Sequence, residues 1–321
     1  MRLLFAGTPQ AAVPSLTALI ASPHEIVAVL TRADAPAGRG RKLTPSPVRV
    51  AAEEAGIPVI TDAPRTPCFS DRLRDLDLDA CAVVAYGHIL RPDVLAVPRT
   101  GWVNLHFSLL PAWRGAAPVQ RAIMAGDTIT GATTFLLDEG MDTGPTLGMM
   151  TETIRPTDTS GDLLNRLALA GSHLLVATMD GIEAGQLSPA AQPADGISLA
   201  PKLTSDDAFL NWSWPALRVS RVARACTPEP GPWTLLSTPG EEAARLRITV
   251  GPIRPDITDL APGQLRPGKR ELLVGTGTHA IALDTVHPAG KRPMQAADWA
   301  RGAHLTSQST LAITSPQEAS Q

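Results

Sequence analysis

The chain has 321 residues, of which 44% are apolar, and a formal net charge of −3. At about 150 residues per domain this length predicts two domains. No run approaches the ~20 apolar residues of a membrane helix, which excludes a membrane-spanning role, and no membrane partner is expected. Cys68, Cys81 and Cys226 are odd in number, widely spaced and free of any CxxC pair. That excludes a disulfide framework and a thiolate metal site, and predicts reduced thiols in a cytoplasmic protein.

In chain order, "RLLFAG" reads as a first strand, broken by Gly7, Thr8 and Pro9, rather than as a signal peptide. An apolar-periodic stretch ending near Ser22 follows, then the strand "EIVAVLT" and a basic loop. "VRVAAEEAG" reads as a helix, "IPVI" as a strand, "DRLRDLDL" as a helix, and "DACAVVAYG" and "GWVNLHF" as strands. Strands alternating with helices predict βαβ units and an α/β fold, a doubly wound Rossmann-like sheet. "ATTFLLD" and "TLGMMTETI" have no full helix between them and predict an antiparallel addition at an edge. Residues 158–185 predict a long helix capped by Asp158 or Ser160.

Residues 188–207 are aperiodic and rich in Ala, Pro, Ser and Asp, the composition of a linker. Beyond it, short β-type runs between Pro/Gly turns predict a small β-barrel or sandwich over residues 208–310, with a polar tail at 311–321. The expected organisation is a first domain over 1–187, this linker and the second domain. Charge divides along similar lines. Residues 209–321 hold 12 Lys/Arg against 9 Asp/Glu, a net of +3, whereas residues 1–208 hold 16 against 22, a net of −6. Such an asymmetry hints at a polyanionic partner for the C-terminal part.

Three segments carry candidate chemistry. In "VNLHFSLLPAWRG" strand alternation puts Asn104 and His106 on one face, with Trp102, and Val103, Leu105 and Phe107 on the other. An isolated N-x-H pair reads first as a satisfied core pair. At the carboxyl end of a sheet strand, followed by the turn "SLLP", it also sits where open α/β sheets bind ligands. In "DEGMDTGPTL", Asp138, Glu139 and Asp142 lie in a Gly-punctuated turn, where acids are usually solvated, although an acid brought near His106 would complete an acid–base pair. The loop "TRADAPAGRGRKLTPSPVRV" holds Arg32, Arg39, Arg41, Lys42 and Arg49 against Asp34. Its prolines and glycines predict an irregular excursion, and its charge suits a phosphate backbone. No GxGxxG, Walker A or HExxH sequence appears, so neither a dinucleotide nor a metal is predicted.

Together "FAGTP", "PAGRGRKLTPSPV", "VVAYGHIL", "NLHFSLLPAWRGAAPVQRAI", "DEGMDTG" and "HPAGKRPMQAADW" resemble the methionyl-tRNA formyltransferases, over residues 3–299. The resemblance implies formyl transfer from 10-formyltetrahydrofolate, as co-substrate, to the α-amino group of initiator methionyl-tRNA, in translation initiation, by a monomer. It places the catalytic set on Asn104, His106 and Asp142 and the folate contacts on Ser108, Leu109, Leu110, Pro111, Tyr86 and Gly87. It places the tRNA contacts on Arg39, Arg41 and Lys42, supported by an OB-like C-terminal barrel. On this reading Asn104 and His106 stabilise a tetrahedral oxyanion and Asp142 orients His106. Two positions depart from the family pattern: Phe107 stands where Gly is common, and Glu229 where an aromatic is usual.

Overall fold

A computed structural model describes residues 1–37, 40, 42–66, 68–303, 305–306 and 308–315. The strands of the first half are β1 (Arg2–Gly7), β2 (Glu25–Leu30), β3 (Ala35–Ala37), β4 (Lys42–Thr44), β5 (Val59–Ile60), β6 (Ala80–Val84), β7 (Trp102–His106), β8 (Ile129–Leu136) and β9 (Thr146–Thr153). The helices are α1 (Val13–Ile20), α2 (Pro47–Glu54), α3 (Phe69–Arg74), α4 (Pro92–Leu95), α5 (Pro118–Ala125) and α6 (Ser160–Glu183). Among the described residues one sheet has the order β5-β2-β1-β6-β7-β8-β9. β5 through β7 are parallel, and β8 and β9 add antiparallel beyond β7. This is the predicted doubly wound sheet with its antiparallel edge. β1 and β6 are almost continuously buried, as "RLLFAG" and "ACAVV" require of strands covered on both faces.

Register aligns Leu4 with Cys81 and Cys81 with Trp102, then Ala6 with Val83 and Val83 with Asn104. Leu4, Ala6, Cys81, Val83 and Trp102 pack with Phe69 and Leu73 of α3 and Val94 of α4. Trp102 Nε1 donates to Val94 O at 3.0 Å. Asn104 and His106 thus continue a core row past its apolar part, at the carboxyl end of β7. Leu105 points the other way, its methyls lying within packing distance of Gly171 on α6.

Local departures from the expected elements have local causes. The basic loop contains a short hairpin, β3 paired antiparallel with β4, so it is less irregular than its prolines suggest. The helix after "SLLP" begins only at Pro118, because Trp113 (φ +60°) and Gly115 (φ +122°) keep the chain out of helical geometry. α6 is capped by Thr159 rather than Asp158 or Ser160. Thr159 Oγ1 accepts from Asp162 N at 3.2 Å while Asp162 Oδ2 accepts from Thr159 N at 3.0 Å, a reciprocal box that satisfies two end groups.

The chain separates into two compact units. Residues 1–118, 128–153 and 163–200 form one, and residues 119–127, 154–162 and 201–321 the other. Residues 188–200 lie along the first unit through isolated backbone pairings, Ala190 with Thr146 and Leu199 with Arg114, which impose no side-chain period. The second unit adds α7 (Ala216–Ala225), β10 (Trp233–Ser237), β11 (Ala244–Arg254), β12 (Leu265–Pro267), β13 (Leu272–Gly275), β14 (Ala280–Pro288), β15 (Met294–Gln295), α8 (Ala296–Gly302) and β16 (Thr310–Leu311). Its antiparallel sheet runs β12-β13-β14-β11-β10-β16, and a bridge between Gln264 and Thr310 brings the ends together as a nearly closed barrel. α7 contributes Val219, Val222 and Ala223 to the barrel's core, beside the fully buried Trp212, whose Nε1 donates to Thr234 Oγ1 at 3.0 Å.

Candidate active site

The site lies in the first unit, around the end of β7. His106 is 6% exposed. Its Nε2 lies 2.9 Å from Trp113 O, which can only accept, so Nε2 carries the ring proton. Nδ1 is then the lone-pair nitrogen of the neutral ring, and it faces Asp142 Oδ2 at 3.6 Å. Burial lowers the His106 pKa from the ordinary 6.5, against the opposing pull of the Asp142 carboxylate and the Trp113 carbonyl. At neutral pH the imidazole is therefore uncharged and able to take a proton on Nδ1. Asn104 is half-buried, and among the described residues its side-chain amide has no hydrogen-bond partner. A donor and a proton acceptor thus stand two residues apart on one strand face.

The turn after β7 is folded back by Thr133, opposite His106 on β8. Thr133 Oγ1 donates to Ser108 O at 2.7 Å and accepts from Leu110 N at 3.2 Å. Ser108 is fully buried, and its hydroxyl donates to Ala112 O at 2.6 Å. Its side chain therefore shapes the turn, while Leu109 and Pro111 keep partial exposure and Leu110 is buried. Phe107 is buried as well.

The three acids of the "DEGMDTG" turn separate by role. Asp138 Oδ1 accepts from Gly140 N at 3.0 Å and from Thr143 Oγ1 at 2.8 Å, which ties up the turn itself. Glu139 is exposed. Asp142, in the left-handed region at φ +53°, turns inward, and its Oδ2 accepts from Gly115 N at 2.7 Å. Gly115 is required there: at φ +122° a Cβ would stand 2.7 Å from Ala200 O. Sequence reasoning singled out neither Gly115, Thr133 nor Gln192. Gln192 Nε2 donates to Asp142 O and Gly144 O, both at 2.8 Å.

Tyr86 is buried, which raises its phenol pKa, and its ring meets that of His88 at 5.0 Å between centroids. Gly87 and His88 line, with Ala63, Pro64, Arg65 and Ile89, an open cavity of about 400 Å³. Arg39 and Arg41 lie outside the described residues. Lys42 is exposed on β4. Arg49, counted in the same basic loop, is paired with Asp34 at 2.9 Å and Glu53 at 2.7 Å, so its charge is largely spent within the protein. Glu229 is exposed. Among the described residues, no group of three or more His, Cys, Asp or Glu side chains could hold a metal ion. No helix there is long and apolar enough to cross a membrane.

Comparison with known proteins covers both units. The formyl transferase family profile matches residues 1–179, and the formyl transferase C-terminal domain profile matches residues 202–304. The methionyl-tRNA formyltransferase of Streptomyces coelicolor is 62% identical over 308 residues, covering 95% of this chain and 98% of that protein. The same-named protein of Mycobacteroides abscessus is 57% identical over 307 residues, with 95% and 98% covered. The fold is similar to that of an N-formyltransferase from Helicobacter canadensis, solved in complex with folinic acid and dTDP-3-aminofucose. That match has a TM-score of 0.63 at 18% identity, covering 87% of this chain and 98% of that one. With both domain profiles matched and near-full-length relatives more than half identical, the chain belongs to the methionyl-tRNA formyltransferase family.

Proposed function

We propose that this protein transfers the formyl group of 10-formyltetrahydrofolate to the α-amino group of initiator methionyl-tRNA, as a monomeric cytoplasmic enzyme. The observation that carries the reading is the pairing of an unengaged Asn104 amide with a neutral, buried His106 whose free nitrogen faces Asp142. In the reaction the amine nitrogen forms a bond to the formyl carbon, and the carbonyl electrons move onto oxygen. Asn104 donates a hydrogen bond to that oxyanion, where one such donor is worth about 3 kcal/mol. A proton leaves the attacking nitrogen for His106 Nδ1, creating an imidazolium beside the Asp142 carboxylate and the oxyanion. The bond from carbon to N10 of the folate then breaks, and the proton passes to N10. The products are a formylated amine and tetrahydrofolate, with no redox change.

In this reading the turn at residues 108–111 and the segment around Tyr86 and Gly87 border the folate. Arg39, Arg41 and Lys42 take the tRNA backbone, and the barrel supports it. The decisive assay incubates the protein with 10-formyltetrahydrofolate and charged initiator tRNA and looks for formylmethionine. Asn104→Ala, His106→Ala and Asp142→Ala should each lower kcat about 10²- to 10³-fold while remaining folded, as circular dichroism would show. Near-normal turnover in any one removes that residue from the catalytic set.

A further inference from the structure

We propose that Gln192 and Arg114 form a positioning pair that holds the Asp142 turn at its working distance from His106. The proposal rests on the reading that His106 and Asp142 move the proton. Among the described residues the Asp142 carboxylate accepts one hydrogen bond, from Gly115 N, beside its 3.6 Å approach to His106 Nδ1, and Asp142 sits at φ +53°, a region costly for a non-glycine residue. A turn in that state keeps its shape only if its neighbours over-determine it. Gln192 does this from the backbone side, donating both amide hydrogens, one to Asp142 O and one to Gly144 O. Its Oε1 accepts from Arg114 Nη2 at 2.7 Å and Nε at 3.1 Å.

The chemistry of the pair is matched on both sides. The guanidinium only donates and the two peptide carbonyls only accept, so the residue between them must offer an acceptor at one end and two donors at the other. A primary amide meets that demand; a carboxylate of the same size meets half of it. Arg114 is itself fixed, its N donating to Ser198 O at 2.9 Å and its O accepting from Ala200 N at 2.7 Å. It follows Trp113, whose carbonyl holds His106. The strap at 190–200 therefore couples the Asp142 turn to the loop whose Trp113 carbonyl holds the His106 ring. A displacement of about 1 Å between such halves can cost on the order of 10²-fold in rate.

The test measures steady-state formylation by Gln192→Ala and Gln192→Glu, alone and combined with Asp142→Asn. Gln192→Glu keeps the partner of Arg114 and turns a carboxylate toward the two carbonyls. It should melt near wild type yet share the loss of Gln192→Ala, with kcat down roughly 10- to 100-fold and KM for the folate changed less than about 3-fold. In the Asp142→Asn background Gln192→Ala should cost less than about 3-fold, since residues acting as one unit are not additive. Turnover within about 3-fold of wild type in both single variants overturns the proposal. So does an undiminished loss in the Asp142→Asn background, because Gln192 would then act elsewhere. If Asp142→Asn itself turns over normally, the catalytic reading has failed, and that result is distinct from either.

Discussion

His106 reaches the site through one nitrogen, and its charge state follows from where the ring is buried. Folding holds its pKa below 6.5, chiefly by desolvation. As pH falls through 6.5 the unfolded chain binds a proton that the folded protein does not yet accept. The unfolded state therefore binds more protons across the window from 6.5 down to the folded value, so stability is full above 6.5 and declines through that window as pH falls. His106→Asn removes this contribution. Between about pH 7.5 and pH 5.5 the wild type should lose more unfolding free energy in urea than the variant does. Equal losses would mean that His106 titrates alike in both states. The acid limb of kcat/KM should likewise fall below 6.5, because the base must be neutral in the free enzyme.

At the scale of elements, the turn at 108–111 is held by a side chain on a neighbouring strand. Thr133→Val is nearly isosteric but leaves Ser108 O and Leu110 N without the hydroxyl that serves them both. Each unsatisfied buried backbone group costs about 1–3 kcal/mol. Chemical denaturation should therefore show a loss of at least ~2 kcal/mol, together with weaker folate binding as the turn relaxes. A variant as stable as wild type would show that the turn holds its shape without Thr133. The strand face of Asn104 and His106 was legible because a period of two is local, and the antiparallel edge because no full helix separates the runs that form it. Thr133 lies 25 residues from Ser108, and Gln192 lies 50 from Asp142, so no local pattern announces either contact. Spacing alone did not separate Asp142 from Asp138 and Glu139. Family resemblance alone singles out Asp142, and in the fold it differs from the other two in turning inward onto the Gly115 amide.

Over the whole molecule the net charge of −3 opposes binding of a polyanion at long range, so tRNA must be taken up by local patches. In the barrel three arginines are matched by carboxylates: Arg254 with Glu271, Arg266 with Asp259, and Arg301 with Asp298. Lys269 and Arg270 in the turn before β13, and Lys291 and Arg292 in the turn before β15, are exposed and form no ion pair among the described residues. These two turns supply four of the 12 Lys/Arg residues over 209–321, beside the exposed Arg218, Arg245 and Arg247. If these turns and Lys42 meet phosphates, affinity for the tRNA falls linearly with salt on logarithmic axes, and each lost contact lowers the slope by about 1. Replacing Lys269 and Arg270, or Lys291 and Arg292, with Ala should weaken tRNA binding and flatten its salt dependence while folate affinity stays unchanged. Unaltered salt slopes in both double variants would move the tRNA footprint off these turns. A change in folate affinity instead would link them to the first unit's site, which the charge distribution gives no reason to expect.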